Sequence, residues 1–132
     1  MIVVDASAMT EVLLNRASSS RVAHRLLDPR EALHAPQLID LEVAETLRRY
    51  EITGEMSPDR AREALLAFAG MPLERHSHWP FLDRIWELRH DVTAYDAAYV
   101  ALAEALDAPL LTCDRALAAA PGHRAVVELI EG

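Results

Sequence analysis

Four carboxylates, Asp5, Glu42, Asp96 and Asp114, each stand where the sequence passes from a strand into a helix or within the first turns of that helix. Asp5 directly follows the apolar opening Ile2-Val3-Val4, and Asp114 follows the apolar segment Leu110-Leu111-Thr112. Glu42 lies in the first two turns of a helix after a second strand, and Asp96 in the first turn of a helix opened by Thr93. In parallel βαβ units every helix starts at the carboxyl edge of the sheet, so parallel strands would gather all four acids at one edge. Like charges held together need a cation to neutralise them. Oxygen-only ligands select a hard divalent ion, Mg2+ or Mn2+. Such an ion activates water and stabilises the attacking and leaving oxygens of a phosphodiester. Without it, repulsion should raise at least one carboxylate pKa.

Each acid also has an ordinary reading. Asp5 and Asp114 suit helix caps, and Thr93-x-x-Asp96 has the form of a capping box. Glu45 and Arg49 are spaced as a surface ion pair, which leaves Glu42 with no basic residue three or four positions away. The joint placement, more than any one residue, points to a site.

The elements that must position these acids are legible from periodicity and caps. Residues 2–4 read as a buried strand. Ser7 caps a first helix to about Asn15, and Ser18 to Ser20 open a second that ends near Asp28-Pro29. Ala32 to Ala35 forms a second strand. Pro36 then starts a long helix to about Thr53-Gly54 with Ile39, Val43, Leu47 and Tyr50 as its apolar stripe. Ser57-Pro58 opens a helix that ends near Gly70. Pro72 to Arg75 is a strand, His78 to His90 an amphipathic helix, and Ala94 to Leu106 a further helix. Pro109 to Thr112 is a buried strand, Asp114 to Ala120 a short helix, and Ala125 to Leu129 a last strand. Strands alternating with helices predict an α/β fold with a mostly parallel sheet of about 4–5 strands and helices on both faces.

The composition bounds the class. The 132 residues suffice for a single domain, 1–132, with one core. No apolar run is long enough to span a membrane, and the start reads as a strand opening, not a signal peptide. The one cysteine, Cys113, excludes an internal disulfide and is consistent with a reducing cytoplasm. The net charge of −8 argues against binding nucleic acid through a general basic surface. All 13 basic residues are Arg. The absence of Lys weighs against phosphoryl transfer through an aspartyl phosphate, because haloacid-dehalogenase-like phosphatases and response-regulator receivers both need one. The former also resemble Asp-x-Asp after the first strand, where this chain has Asp5-Ala6-Ser7.

The motifs around the acids resemble one family. Val3-Val4-Asp5-Ala6-Ser7-Ala8 is similar to the start of a PIN domain, and Pro36-Gln37-Leu38-x-x-x-Glu42-Val43 resembles its second acidic motif. The segment Thr93 to Ala103 resembles the third, and Leu110 to Leu117 the fourth. The match runs in order along the whole chain and is strongest to VapC-type toxins of toxin–antitoxin pairs. It implies a PIN-like three-layer sandwich and a Mg2+- or Mn2+-dependent endoribonuclease, held inactive by a VapB-type antitoxin and expected as a homodimer. By position, Asp5, Glu42, Asp96 and Asp114 would be the catalytic, metal-binding quartet. Ser7 and Thr112 match places where the family sets hydroxyls near the metal. Residues 54–90 carry no family motif and would hold substrate and antitoxin choice. The competing reading is a non-catalytic PIN-like binding or assembly module, which an incomplete acidic set would favour.

Other residues have mixed readings. Arg115 could grip a substrate phosphate or pair with the acids. Arg48-Arg49, and Arg16 with Arg21 and Arg25, could rim an RNA path or form a solvated face. His76-Ser77-His78 has no third ligand nearby in sequence and reads as a loop before a helix. Trp79, Phe81 and Trp86 are expected to pack against the core, with a lesser reading that joins them to Leu65, Leu66 and Phe68 in a groove for an antitoxin helix. Cys113, among carboxylates that would raise its pKa, reads as packing.

Overall fold

Three consecutive β-branched residues, Ile2–Val4, form β1, and every one is buried. Such a run without alternation needs cover on both faces, and the fold supplies it. The computed structural model describes residues 1–16 and 19–131. Four more strands follow: β2 Leu33–Pro36, β3 Leu73–His76, β4 Leu110–Thr112 and β5 Val127–Leu129. All neighbours pair in parallel in the order β3-β2-β1-β4-β5. The chain winds outward from β1 through β2 to β3, then returns to place β4 on the other side of β1. The order therefore reverses between β1 and β4, where open α/β sheets form their binding crevice.

The helices are α1 Ala6–Leu13, α2 Ser19–Leu26, α3 Ile39–Ile52, α4 Pro58–Ala69, α5 Leu82–Glu87, α6 Ala94–Leu106 and α7 Arg115–Ala119. Helices α1 to α4 pack on one another, while α6 packs on β1, β2, β4 and α5. Seven consecutive residues of α6, Ala97 to Ala103, are buried. A helix this apolar on every side must be central, and its small alanines let it lie close to the sheet. None of the helices among the described residues is long and apolar enough to cross a membrane.

Several boundaries differ from the sequence expectation. Helix α1 is capped by Asp5, whose side chain accepts from the Ala8 N–H, and not by Ser7. The expected opening of α2 at Ser18 lies outside the described residues. Pro36 ends β2 instead of starting a helix, and α3 begins at Ile39. In β2 and β3 the ladder sits one residue later than expected, pairing Leu33 with Leu73 through Pro36 with His76. The segment 78–90 splits into a 3-10 turn, Trp79–Phe81, and the six-residue α5. So short an element has one inward face, which Ile85 and Leu88 occupy. Trp79 and Trp86 are consequently 74% and 67% exposed, contrary to the expectation of core packing. Trp86 lies under the Arg89 guanidinium, 4.6 Å from its ring centroid. Phe81 does pack against the core. Phe68 is buried on α4, in the layer opposite α5, so the postulated groove joining it to Trp79 and Trp86 does not form.

One ion pair fastens α5 to α6. Arg84 donates from Nε and Nη2 to the two carboxylate oxygens of Glu104 at 2.8 and 2.9 Å, and the Arg124 N–H reaches the same carboxylate at 2.7 Å. The Glu104 side chain is only 4% exposed, and these donors hold its carboxyl below the usual range. Removing Arg84 strands a nearly buried charge. Arg84→Ala is therefore expected to lower the unfolding free energy by about 2–3 kcal/mol at neutral pH, measured by urea denaturation. A depressed pKa contributes stability that is lost as pH falls through the folded value, so the variant's deficit should shrink under acid conditions.

Candidate active site

Asp5 and Asp114 cap the helices that leave β1 and β4, so the reversal in strand order brings both acids to one crevice. Asp5 is 5% exposed. Its Oδ1 accepts from the Ala8 N–H at 2.9 Å and from the Ser7 hydroxyl at 2.6 Å, and its Oδ2 accepts from Thr112 at 2.5 Å. Ser7 and Thr112 stand 3.2 Å apart, yet each hydroxyl has a single hydrogen and both are committed to Asp5. Their oxygens accept in turn, Ser7 from the Cys113 N–H at 3.0 Å and Thr112 from the Asp114 N–H at 2.9 Å. This network links the ends of β1 and β4. Asp114 Oδ1 caps α7 through the N–H groups of Ala116 and Leu117. For both acids, capping and a place at the crevice are compatible, not alternative.

The other two acids arrive from helices on opposite faces. Glu42, on α3, accepts at Oε1 from the Tyr99 hydroxyl of α6 at 2.6 Å. Asp96 lies in the first turn of α6, where its N–H bonds Thr93 Oγ1 at 3.2 Å. Among the described residues, the return bond of a full capping box, from Thr93 N–H to the Asp96 carboxylate, is not made. The carboxylate instead faces Asp5 and Asp114.

Electrostatics records the convergence. Burial pushes the Asp5 carboxyl up against its hydrogen bonds, with a smaller push from Asp114. Burial, then Asp96 and Asp5, raise Glu42, against its bond from Tyr99. Burial, Asp114 and Asp5 raise Asp96. Among the described residues, no Arg or His forms an ion pair with any of the four. Nor do three of the four carboxylates bring oxygens within 4.8 Å of one another. That spacing does not make a tight all-protein cage. An ion seated among them would keep part of its shell as water.

Arg115 does not join the acids. It pairs with Glu131 at 2.7 Å, and its side chain is 80% exposed. Glu45 pairs with Arg48 in place of Arg49. Arg16 stacks on Tyr50, and Arg25 is held by Glu128 and Glu31. Cys113 packs against the core, as expected. A groove of about 590 Å³ opens beside the crevice, lined by Ser7, Leu41, Glu42, Arg49 and Tyr95 among others. Tyr95 and Leu41 expose large apolar surface there.

Tyr99 is the site residue that no acidic pattern reveals. The signal available was its position three residues after Asp96 in an otherwise Ala-, Val- and Leu-rich helix. A buried tyrosine there needs a partner for its hydroxyl.

The sequence profile of the PIN domain matches residues 2–123. The chain belongs to the PIN-domain family. Ribonuclease VapC1 from Mycobacterium tuberculosis is 45% identical over 130 residues, covering 97% of this chain and 96% of that protein. Two solved structures share the fold. PAE2754 from Pyrobaculum aerophilum aligns with a TM-score of 0.71 at 21% identity, over 96% of this chain and 81% of that one. A toxin–antitoxin complex from Klebsiella pneumoniae aligns with a TM-score of 0.62 at 17% identity, over 90% and 91%. The four carboxylates of this PIN domain thus lie at the strand-order reversal of a five-stranded parallel sheet.

Raised carboxylate pKa values mean that the folded, metal-free PIN domain binds more protons than the unfolded chain between the ordinary and the raised values. Its stability should fall as pH rises through that window. Asp96→Asn removes one repelling charge. Without metal it is expected to raise the unfolding free energy at pH 7 by about 1 kcal/mol, the order of one like-charge contact in high-dielectric surroundings. The gain should shrink in a second melt at lower pH, as protonation does the same work. Thermal melts in EDTA at the two pH values check this; a pH-independent loss would mean that Asp96 serves only the helix start.

Proposed function

We propose that this PIN-domain protein is a metal-dependent endoribonuclease toxin of the VapC type, cutting RNA phosphodiester bonds at the Asp5–Glu42–Asp96–Asp114 site. The observation that carries the reading is the convergence of four carboxylates without a cationic partner. Its VapC1 relative is named a ribonuclease, and the acidic set is complete, which weighs against a purely binding module. The donors are all oxygen, so the four acids would hold Mg2+ or Mn2+. Bound there, such an ion supplies a water nucleophile at neutral pH and a counter-charge for the cleaved phosphodiester.

The chain's own residues do the positioning. Ser7 and Thr112 fix both oxygens of Asp5, and Tyr99 fixes one oxygen of Glu42 while leaving the other for the site. Capping bonds hold one oxygen of Asp114 in the same way. The adjacent groove suits a single RNA strand, with Arg49 near a phosphate and Tyr95 beneath an unpaired base. A VapB-type antitoxin would inhibit by setting an Arg or Lys among the carboxylates, replacing the metal's charge. The working form is proposed to be a homodimer.

Purified, antitoxin-free protein is expected to cleave RNA with Mg2+ or Mn2+ and to stop in EDTA. Asp5→Asn and Asp96→Asn should each reduce the rate by at least about a hundredfold while remaining folded. Cleavage that persists in both variants would overturn the site. Tyr95→Ala should raise KM for RNA by about tenfold, the scale of one lost base stack, with kcat within about twofold. Steady-state kinetics on a single cleavable oligonucleotide separates the two parameters.

A further inference from the structure

The pair of strands farthest from β5 carries a different donor set. Arg75 of β3 points into the α3–α4 layer, where its Nε bonds Asp40 at 2.8 Å and its guanidinium stacks 5.3 Å from the Phe68 centroid. Alternation along the strand sends Glu74 and His76 to the opposite face. There they meet His34, the register partner of Glu74 on β2. His34 Nδ1 lies 2.8 Å from His76 Nε2 and 3.5 Å from Glu74 Oε2. Among the described residues, this is the one group of three ligating side chains whose donor atoms all fall within 4.8 Å of one another.

We propose that His34, Glu74 and His76 form a binding site for a divalent transition metal of the zinc class, separate from the carboxylate quartet. Two imidazoles and one carboxylate suit Zn2+, Ni2+ or Co2+ and not the hard ions expected among the four acids. Bonds of about 2.0–2.1 Å at tetrahedral angles put neighbouring donors about 3.3 Å apart, and the observed 2.8 and 3.5 Å bracket that value. The rim side is open, since the Glu74 side chain is 69% exposed, which leaves the fourth position to water.

An imidazole is a costly occupant of this core position. His34 is 5% exposed, and its Nε2 is buried without a hydrogen-bond partner. That nitrogen lies on the ring edge away from His76 and Glu74, so it marks the cost of an imidazole at this position, while Nδ1 is the atom turned to the two neighbouring donors. Packing alone would favour an apolar residue there, as at neighbouring Leu33 and Ala35. A bound ion would clamp the edge strand β3 to β2.

Calorimetric titration of untagged, EDTA-stripped full-length protein with Zn2+, in excess Mg2+, tests the site. Co2+ substitution supplies a visible absorption band that reports low coordination number and nitrogen ligands. Wild type and Asp96→Asn are expected to bind one Zn2+ per chain with the same affinity. His76→Gln and Glu74→Gln, both off the buried core, should weaken it by roughly tenfold or more and reduce the Co2+ band. No zinc-specific binding in the wild type would overturn the proposal, as would binding that survives in His76→Gln but is lost in Asp96→Asn.

Discussion

A carboxylate buried at the junction of two parallel strands is the constraint on which this structure turns. Asp5 is nearly inaccessible, yet its two oxygens collect three donors from α1 and from the end of β4. Those bonds fix how β1 and β4 end and where α1 begins, and they leave no hydrogen on Ser7 or Thr112 for any other partner. Asp96, Glu42 and Asp114 then crowd a residue that cannot turn away. The fold accepts the cost of raised pKa values at three of these acids because the same strain is what makes a cation welcome.

Net charge explains little about such a molecule. A chain of −8 does not attract a polyanion at long range. Much of its arginine is also spent internally. Arg25, Arg30, Arg48, Arg75, Arg84 and Arg115 each pair with an acid of the same chain. Capture of RNA would rest on the local groove, where Arg49 and the exposed faces of Tyr95 and Leu41 lie beside the acids.

The sheet also separates two kinds of donor chemistry. Oxygen donors gather at the strand-order reversal, at the mouth of the crevice. The nitrogen donors of His34 and His76 gather across the β2–β3 pair, where the ladder places side chains two residues apart on one face. Hard and borderline ions would sort between them by ligand type rather than by raw affinity.

Sequence alone determined the helix starts at Ser57 and Thr93, the buried strands β1 and β4, the parallel α/β class and the assembly of four acids at one edge. Each of these follows from local rules, because caps, periodicity and the direction of a βα turn act over a few residues. Only the tertiary structure decided that Asp5 rather than Ser7 caps α1, that Tyr99 grips Glu42 from 57 positions away, and that Trp79 and Trp86 face outward. It also placed His76 at the end of β3, beside His34 and Glu74, where the sequence had suggested a loop. His34 is 42 positions distant, and strand register, set by pairing of backbone rather than by sequence neighbourhood, is what brings the two rings together.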